Sequence, residues 1–406
     1  MSVYIGIDWS EKKHDVLFMN PAGATLAKLV IAHTPDGFAQ FDQQCRRLGF
    51  PPAECQIAME TAHNLLIDFL WSHDYQQVYV VPPSQVRANR GRYSASQARD
   101  DPRDALLLAD ILRTDRSRLQ PWHPDGLLVR QLRAKISLHR HLLGQERRLA
   151  NRLRAILLCY YPAAVTVFSE LTAQIALQFV RSYPTPAAAQ ALSYADFERF
   201  AQTHSYSHPK KLPACYARLQ AKQPTPAPET VLVYQAEAVQ LAELLLPAGE
   251  AKRANLREVV KLFAQHPDAA IFTSLPGTGD YLAPGLLAKF GDDRQRFPNA
   301  ASVQTLAGTC PVTDQSGKHR AVYFRTGCEH EFRHIAQQWA LASRDESAWA
   351  ASYWQEIRPH CQSDSHATRC LANRWLAVAW KLWHSHQTYD EAYHMRQRLA
   401  RRQPRA

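Results

Sequence analysis

The chain has 406 residues, of which 46% are hydrophobic, enough for two or three domains of ordinary size. Its 48 Lys and Arg residues against 37 Asp and Glu give a formal net charge of +11, which favours a polyanionic partner and makes nucleic acid the first candidate. No apolar run approaches the roughly 18 to 20 residues of a spanning helix, and residues 1–4 begin a strand rather than a signal peptide, so we expect a cytoplasmic protein without a membrane partner.

The first 81 residues predict a mixed sheet. Three short strands come first, over residues 3–7, 14–19 and 24–31. Helices and strands then alternate, with a helix over 35–48, a strand over 55–59, a helix over 61–71 and a strand over 78–81. Because a meander pairs antiparallel and alternating helices allow parallel strands, the pattern predicts a mixed sheet with helices on its faces.

A long basic helix is predicted from Leu127 onwards. Its apolar positions recur at spacings of three, four and seven, at Leu138, Leu142, Leu149, Leu153 and Ile156. Such a stripe needs a partner, which residues 231–246 and 251–263 supply after a helical insert and the Pro-rich segment 224–228. We therefore expect a coiled-coil arm between two globular parts.

Beyond the arm, a glycine-rich turn over residues 275–279 precedes an apolar helix over 281–290. Two interpretations are open for Gly277 and Gly279. They direct backbone N–H groups at a DNA phosphate, or they form a tight turn between two core helices. The last segment, residues 332–394, is Trp-rich with a helical pattern, and a basic tail follows it.

Four acidic residues carry the strongest chemical signal. Asp8 ends the first strand, Glu60 ends a later one, and Asp101 and Asp104 lie one turn apart on the same face of a helix. Singly, each is an ordinary turn or cap residue. Together they could hold two Mg²⁺ (or Mn²⁺) ions, an arrangement that suits displacement at a phosphodiester. The set predicts a divalent-metal site that cuts nucleic acid strands.

The eight cysteines have no CxxC pair, which predicts reduced thiols rather than a disulfide framework. Two groups have the composition of a metal site: Cys328 with His330 and His334, and Cys361 with His366 and Cys370. Because neither group has a paired-ligand signature, the sequence does not favour zinc.

The motifs around the acidic residues are similar to those of a known family. They are residues 4–8 (YIGID), 59–61 (MET) and 101–105 (DPRDA), with 275–279 (LPGTG) and 306–317 (LAGTCPVTDQSG) beyond the arm. In these motifs the chain resembles the RuvC-like DEDD transposases of bacterial insertion sequences. That family also contains the Piv-type DNA invertases and the bridge-RNA-guided recombinases. The resemblance spans nearly the whole chain.

The resemblance implies an α/β plus all-α fold in four parts. These are an RNase H-like (RuvC-like) mixed-sheet catalytic domain over 1–120, a helical coiled-coil arm over 121–265 with an insert at about 161–229, a mainly helical second catalytic domain over 266–345, and C-terminal helices with a basic tail over 346–406. The second catalytic domain would contain a helix-hairpin-helix-like turn and the Ser-Gly motif.

The resemblance also implies that Ser316 of the Ser-Gly motif is a nucleophile and that the four acids hold the metal ions. Attack by the Ser316 Oγ would store the phosphodiester bond as a phosphoserine ester, which a DNA hydroxyl can reseal, whereas hydrolysis discards that bond. Lys318, His319 and Arg320 could bind the scissile phosphate, or they could be an ordinary basic surface.

The implied partners are DNA and a guide (bridge) RNA. A homodimer or tetramer is expected because recombination joins two DNA partners, with the arm as the interface. The expected location is the bacterial cytoplasm, at the nucleoid.

Four features depart from the family pattern, and one of them is extra length around residues 161–229. Asp100 is adjacent to Asp101, so the choice of Asp101 as the third acid rests on its three-residue spacing to Asp104. Val312 stands where relatives commonly have a basic residue, and residues 327–330 differ from the usual Gly-Asn or Gly-His. These departures concern substrate contacts more than the reaction.

Other functions share parts of this pattern. Sugar-kinase and actin-like ATPases also open with a strand ending in Gly-Ile-Asp, but residues 9–13 lack the Gly, Ser and Thr of a phosphate turn. A RuvC-like structure-selective DNA endonuclease would keep the four acids without needing Ser316. A Piv-like invertase would act without guide RNA. A non-enzymatic DNA-binding protein would not need the complete acidic set.

Overall fold

The computed structural model describes residues 2–61, 65–92, 101–317 and 319–402. The chain divides into two compact units, Met1–Asp125 and Gly126–Ala406. The finer division into four parts stays a prediction.

Unit 1 is a mixed sheet with helices on both faces. Its elements are β1 Val3–Trp9, β2 Lys13–Met19, β3 Thr25–Ala32, α1 Pro35–Arg47, β4 Cys55–Met59, α2 Leu65–Ser72, β5 Val78–Val80, α3 Pro83–Asn89 and α4 Asp101–Asp115. The strand order is β3-β2-β1-β4-β5. The first three strands pair antiparallel, and β1, β4 and β5 pair parallel. The predicted mixed sheet is confirmed, with element bounds shifted by a few residues.

Successive side chains along each strand point to opposite faces of the sheet, so unit 1 has two separate apolar layers. Ile5, Ile7 and Ile57 face the layer that contains helices α1 and α2. The other face packs against α4, where Ala58 contacts the layer that contains Leu108. Both faces of the sheet are covered at β1 and β4, which is why these two strands are almost wholly apolar rather than alternating with polar residues.

Unit 2 is helical apart from one hairpin in the part of the chain that the structure describes. Its elements are α5 Leu127–Tyr160, α6 Pro162–Thr166, α7 Gln174–Ser182, α8 Pro186–Gln190, α9 Tyr194–Thr203, α10 Leu212–Gln220, α11 Pro228–Phe263, α12 Ala269–Thr273, α13 Gly279–Phe290, α14 Ala300–Leu306, β6 Val312–Ser316, β7 His319–Tyr323, α15 His330–Glu346, α16 Ala348–Ile357, α17 Asp364–Ser385 and α18 Glu391–Arg402.

Helices α5 and α11 pack along each other. Their two ends belong to different cores. Leu132 and Val259 lie in the core formed with α13, α15 and α17, whereas Leu153 and Leu241 lie in the core of the insert helices α6–α10. Glu146 and Lys252 form an ion pair between the two helices. The two long helices are therefore observed, and heptad packing of a coiled-coil type stays a prediction.

Two details of the predicted arm were wrong. Leu138 is 44% exposed, and the buried stripe instead begins at Val129, Leu132 and Ile136. Helix α11 is also continuous through Pro247 rather than two pieces. The tertiary partner decides which stripe is buried, and seven-residue spacing alone admits a neighbouring stripe.

Helix α11 bears on the expectation that no apolar stretch reaches membrane-spanning length. Among the described residues it is the one helix that is long and apolar enough, by length and composition, to cross a membrane. Length and composition of a single helix are weak grounds for a membrane span, and α11 packs along α5.

Candidate functional site

Asp8 and Glu60 lie at the same edge of the unit 1 sheet. Strands β1 and β4 are parallel neighbours, with Ile7 paired to Met59, so Asp8 and Glu60 are the next residues on the two strands. Neighbouring strands lie roughly 4.8 Å apart, and parallel strands end at a common edge. Both residues are half-buried. Two carboxylates therefore meet at one sheet edge, as the strand-end pattern predicts.

Helix α4 lies directly against strand β1 beside these residues. A Cβ on Gly6 would stand 1.9 Å from the Ala105 carbonyl oxygen and 2.6 Å from the Ala109 amide nitrogen. The absence of a side chain at Gly6 therefore permits the helix backbone to contact the strand. Asp104 precedes Ala105 on this helix and lies close enough to Glu60 for their charges to interact.

We name Asp8, Glu60 and Asp104 the carboxylate cluster. Asp101 begins helix α4, but its side chain lies outside the described part of the structure, as does the whole of Asp100. The choice between these two acids as the third ligand therefore stays a prediction.

Gly6→Ala is expected to destabilise unit 1 and to reduce DNA cleavage. The added methyl would overlap backbone atoms of Ala105 and Ala109, which cannot rotate away as a side chain would. Overpacking costs about 1–3 kcal/mol and more where backbone must move. Thermal unfolding checks this, with Gly91→Ala as the matched control because a Cβ there meets no atom within 4 Å. Equal melting temperatures for the two variants would contradict the close packing.

The carboxylate cluster has an excess of negative charge. Burial raises the pKa of the Glu60 carboxyl, the charge of Asp104 raises it further, and Arg90 opposes both effects. Arg90 forms a two-pronged ion pair with Asp104, with Nη2–Oδ2 at 2.7 Å and Nε–Oδ1 at 3.3 Å. Burial of carboxylates in one place is unfavourable unless cations compensate them, and oxygen ligands of this kind fit a hard divalent cation.

Asp15 is a fourth carboxylate at this site that the sequence reasoning missed. It is 93% buried (7% exposed) on β2 and pairs across the sheet with Asp8. Directly opposed residues in antiparallel strands share a face, and like charges in that arrangement repel. Lys13 Nζ lies 3.9 Å from the Asp15 carboxylate. The signal was present, because Asp15 directly precedes the apolar run Val16–Met19 and a short turn places it opposite Asp8.

Ser316 lies at the end of an exposed two-stranded hairpin, which we name the serine hairpin (β6 and β7). Ser316 pairs with His319, and every residue of β6 is exposed. Gly317 follows with a φ of 56°, as the first position of a two-residue hairpin turn requires. The mainly helical second domain that the resemblance implies did not include this hairpin, although residues 312–323 contain a turn signal flanked by strand-forming residues.

The base of the serine hairpin is held by arginines. The Arg325 guanidinium donates to the Cys310 carbonyl oxygen at 3.2 Å. Arg333 and Arg369 place their guanidinium carbons 4.5 and 4.7 Å from the ring centre of Phe324. An isolated two-stranded hairpin is marginally stable, and these contacts attach it to the helical core. The exposed serine is therefore presented on an anchored element.

The cations beside Ser316 are only partly described. His319 and Arg320 are exposed on β7, and Arg320 pairs with Gln315. Lys318 lies outside the described residues. Contact of these side chains with a scissile phosphate stays a prediction.

The glycine-rich turn has a structural role at Gly277. Its φ is 76°, and a Cβ would stand 2.5 Å from the Ser343 amide nitrogen of α15. The Gly277 N–H donates to the Glu346 carboxylate at 2.8 Å, so a protein anion already accepts from this group. Gly279, with φ at 49°, has open space beside it. Of the two interpretations, the tight turn accounts for Gly277, and phosphate binding at this turn stays a prediction.

Comparison with known proteins agrees with the motif resemblance. Residues 5–162 match the family model of the DEDD transposase of IS110, described as "Transposase", and residues 269–355 match "Transposase IS116/IS110/IS902 family". The chain is 30% identical over 403 residues to the mini-circle putative transposase for IS117 of Streptomyces coelicolor, covering 96% of each chain. It is 25% identical to an uncharacterized 44.8 kDa protein of insertion element IS116 of Streptomyces clavuligerus, covering 94% of this chain and 94% of that protein. The mixed sheet of unit 1 is consistent with the RNase H-like fold that the resemblance implied.

Proposed function

Since the chain belongs to the IS110/IS116/IS902 family of transposases, we propose that it cuts and rejoins DNA strands with divalent metal ions and a serine nucleophile. The observation that carries the proposal is the meeting of Asp8, Glu60 and Asp104 at one sheet edge under helix α4. A carboxylate cluster of this kind is costly to a protein that does not use it. Family membership itself implies strand cleavage and transfer.

The metal ligands are proposed to be Asp8, Glu60, Asp101 and Asp104, with Mg²⁺ or Mn²⁺ as the cation. Bound there, a pair of divalent ions would stabilise the charge on the attacking and leaving oxygens of a phosphodiester. The protein contributes an all-oxygen ligand set, a partly buried setting and a raised Glu60 pKa that falls when a cation binds. Arg90 holds the Asp104 carboxylate in place and balances part of its charge.

Ser316 is proposed to preserve the energy of the cleaved phosphodiester bond in a covalent ester with the DNA. The Ser316 Oγ attacks the phosphorus, the bond from phosphorus to the leaving DNA oxygen breaks, and a phosphoserine ester forms. A hydroxyl of a second DNA strand then attacks the same phosphorus and releases Ser316. A serine hydroxyl is a poor nucleophile until its proton is withdrawn, so the reaction needs the carboxylate cluster as well as the serine, within one protomer or across a dimer.

Contacts with the DNA backbone are proposed for exposed cations and for the glycine turn. Lys318, His319 and Arg320 follow Ser316 directly, where a scissile phosphate would lie. The glycine-rich turn is proposed as a second, sequence-independent contact through Gly279, because the Gly277 N–H already donates to Glu346. The exposed arginines of α5 add a longer basic surface.

A guide RNA is proposed as the source of sequence specificity, as the family resemblance implies, and the lack of a recognisable base-reading motif in the sequence is compatible with this. We also propose a homodimer or tetramer that acts at the bacterial nucleoid in the cytoplasm. Nucleic acid that co-purifies from cells carrying the native flanking DNA should contain one discrete RNA encoded beside the gene. Its absence would favour a Piv-like invertase or a structure-selective nuclease that finds DNA by protein contacts.

Chelation is expected to abolish strand cleavage. Removal of divalent ions with EDTA should reduce cleavage of a plasmid carrying the native flanking DNA to background, and added Mg²⁺ or Mn²⁺ should restore it, while Ca²⁺ should support binding without cleavage. Binding to the same DNA, measured by gel shift, serves as the control and should survive chelation because basic residues supply it. Undiminished cleavage in EDTA would contradict the metal proposal.

A further inference from the structure

Three potential soft-metal ligands converge at the start of helix α17. Cys361, His366 and Cys370 each offer one ligand atom, and these atoms all lie within 4.8 Å of one another. All three side chains are half-buried. Among the described residues this is the one group of three His, Cys, Asp or Glu side chains so arranged. The other group with suitable composition, Cys328 with His330 and His334, does not form such a cluster.

The local backbone brings the three residues together. His366 and Cys370 are four residues apart on α17, so they share one face of the helix. Cys361 lies just before the helix. There, the Ser363 hydroxyl accepts from the His366 N–H at 3.2 Å and caps the helix. Arg358 donates to the Cys361 carbonyl oxygen at 3.2 Å and pairs with Asp364. Protein contacts therefore hold the loop against the helix.

We propose that Cys361, His366 and Cys370 bind one Zn²⁺ ion. Two thiolates and one imidazole are the ligand types that Zn²⁺ prefers, whereas Mg²⁺ and Mn²⁺ prefer the oxygens of the carboxylate cluster. Tetrahedral Zn²⁺ places sulfur and nitrogen ligands about 3.5 to 3.8 Å apart, so small side-chain rotations complete the site. The fourth position is left to water or another exogenous ligand. The inference does not depend on the proposed strand-exchange chemistry.

The site would attach the loop before α17 to that helix. Ala367 and Leu371 of the same helix are fully buried, so the ion would lie one turn from the core of unit 2. A bound ion stabilises the folded chain by mass action. Removing the ion should therefore lower the melting temperature without involving the carboxylate cluster.

A disulfide between Cys361 and Cys370 is the competing use of these residues. It would need the two sulfurs at bonding distance and would have no use for His366. Zinc binding requires all three side chains and reduced thiols. The contribution of His366 therefore distinguishes the two.

Co²⁺ titration of the chelator-stripped full-length protein tests the site. About one equivalent should produce a thiolate-to-cobalt charge-transfer band, which carboxylate ligands do not give, and Zn²⁺ should displace it. Cys361→Ser and His366→Gln should each weaken binding at least about 100-fold, since even outer-shell changes cost about 10- to 100-fold. Far-UV circular dichroism checks that each variant folds. Cys361 lies outside the helices, which makes its variant the safer of the two.

Cys328→Ser is the matched control, because Cys328 is also half-buried and its Sγ lies 3.9 Å from a histidine nitrogen, Nδ1 of His330. This variant should keep the charge-transfer band and the melting-temperature shift of a few degrees on Zn²⁺ addition. A wild-type protein without the band, or a band that persists in Cys361→Ser and His366→Gln, would overturn the proposal. So would a Cys361–Cys370 disulfide in protein purified under reducing conditions.

Discussion

Asp8→Asn and Glu60→Gln are each expected to reduce DNA strand cleavage about a thousand-fold or more. Each substitution removes a negative oxygen ligand from the sheet edge where Asp104 also lies. A metal clamp contributes several kcal/mol to a phosphodiester displacement, and each 1.36 kcal/mol corresponds to tenfold in rate. Cleavage of a plasmid carrying the native flanking DNA measures the effect. Retained cleavage in both variants would refute the metal assignment.

The same variants should remain folded, which separates loss of chemistry from loss of structure. Asp8→Asn removes the cross-strand repulsion with Asp15. The pKa of the Glu60 carboxyl is higher in the folded protein than in the unfolded chain. The stability that this difference contributes is therefore fully present below the pKa of the unfolded chain, and it is lost as pH rises through the pKa of the folded protein. At a pH above the folded-state pKa of Glu60, metal-free Glu60→Gln protein should therefore be at least as stable as metal-free wild type. Asp36→Asn, an exposed acid in the first turn of α1, is the control for cleavage.

Ser316→Ala is expected to abolish strand joining and to leave no covalent protein–DNA product. Without the hydroxyl, the phosphodiester bond cannot be stored as a phosphoserine ester. Ser316 is exposed at the hairpin end, so the substitution should not change the melting temperature. Sequencing of recombined junctions formed from two plasmids measures joining.

Thr313→Val is the matched control for Ser316→Ala, because Thr313 is an exposed hydroxyl residue on the same strand. It should recombine like wild type. Full joining activity in Ser316→Ala would remove the serine from the mechanism. Cleavage without joining in both the wild type and the variant would instead identify a structure-selective endonuclease.

Much of unit 1 could be predicted because its local signals and its tertiary structure agree. The short apolar runs of the sequence form buried strands. Asp8 and Glu60, at the ends of two of them, lie at the same edge of the sheet because these strands are parallel neighbours. Arg90 could not be predicted as the partner of Asp104, since residues 90 and 104 are separated by a segment whose path the sequence does not specify. Asp15 could have been found by pairing the first two strands through their turn.

In unit 2, the spacing of apolar residues was not enough to predict which residues are buried. The buried stripe of α5 depends on contacts with α11 and α13, and the sequence pattern admitted a stripe that includes the exposed Leu138. The serine hairpin was missed because it lies in a helical region, although the Ser-Gly turn and flanking strand-formers marked it. Cys361 lies near Cys370 because of the path that the chain takes into α17. The sequence has no paired-ligand motif that would predict this path.

Mass-spectrometric mapping of a trapped protein–DNA intermediate tests the central claim most directly. The wild-type protein would be incubated with Mg²⁺ and DNA carrying the native flanking sequence, quenched with denaturant, and digested with protease and nuclease. Our account predicts a nucleotide attached through phosphate to Ser316, absent from Asp8→Asn and Glu60→Gln protein. Cleaved DNA with free ends and no attached peptide, or a nucleotide attached to another residue, would contradict it.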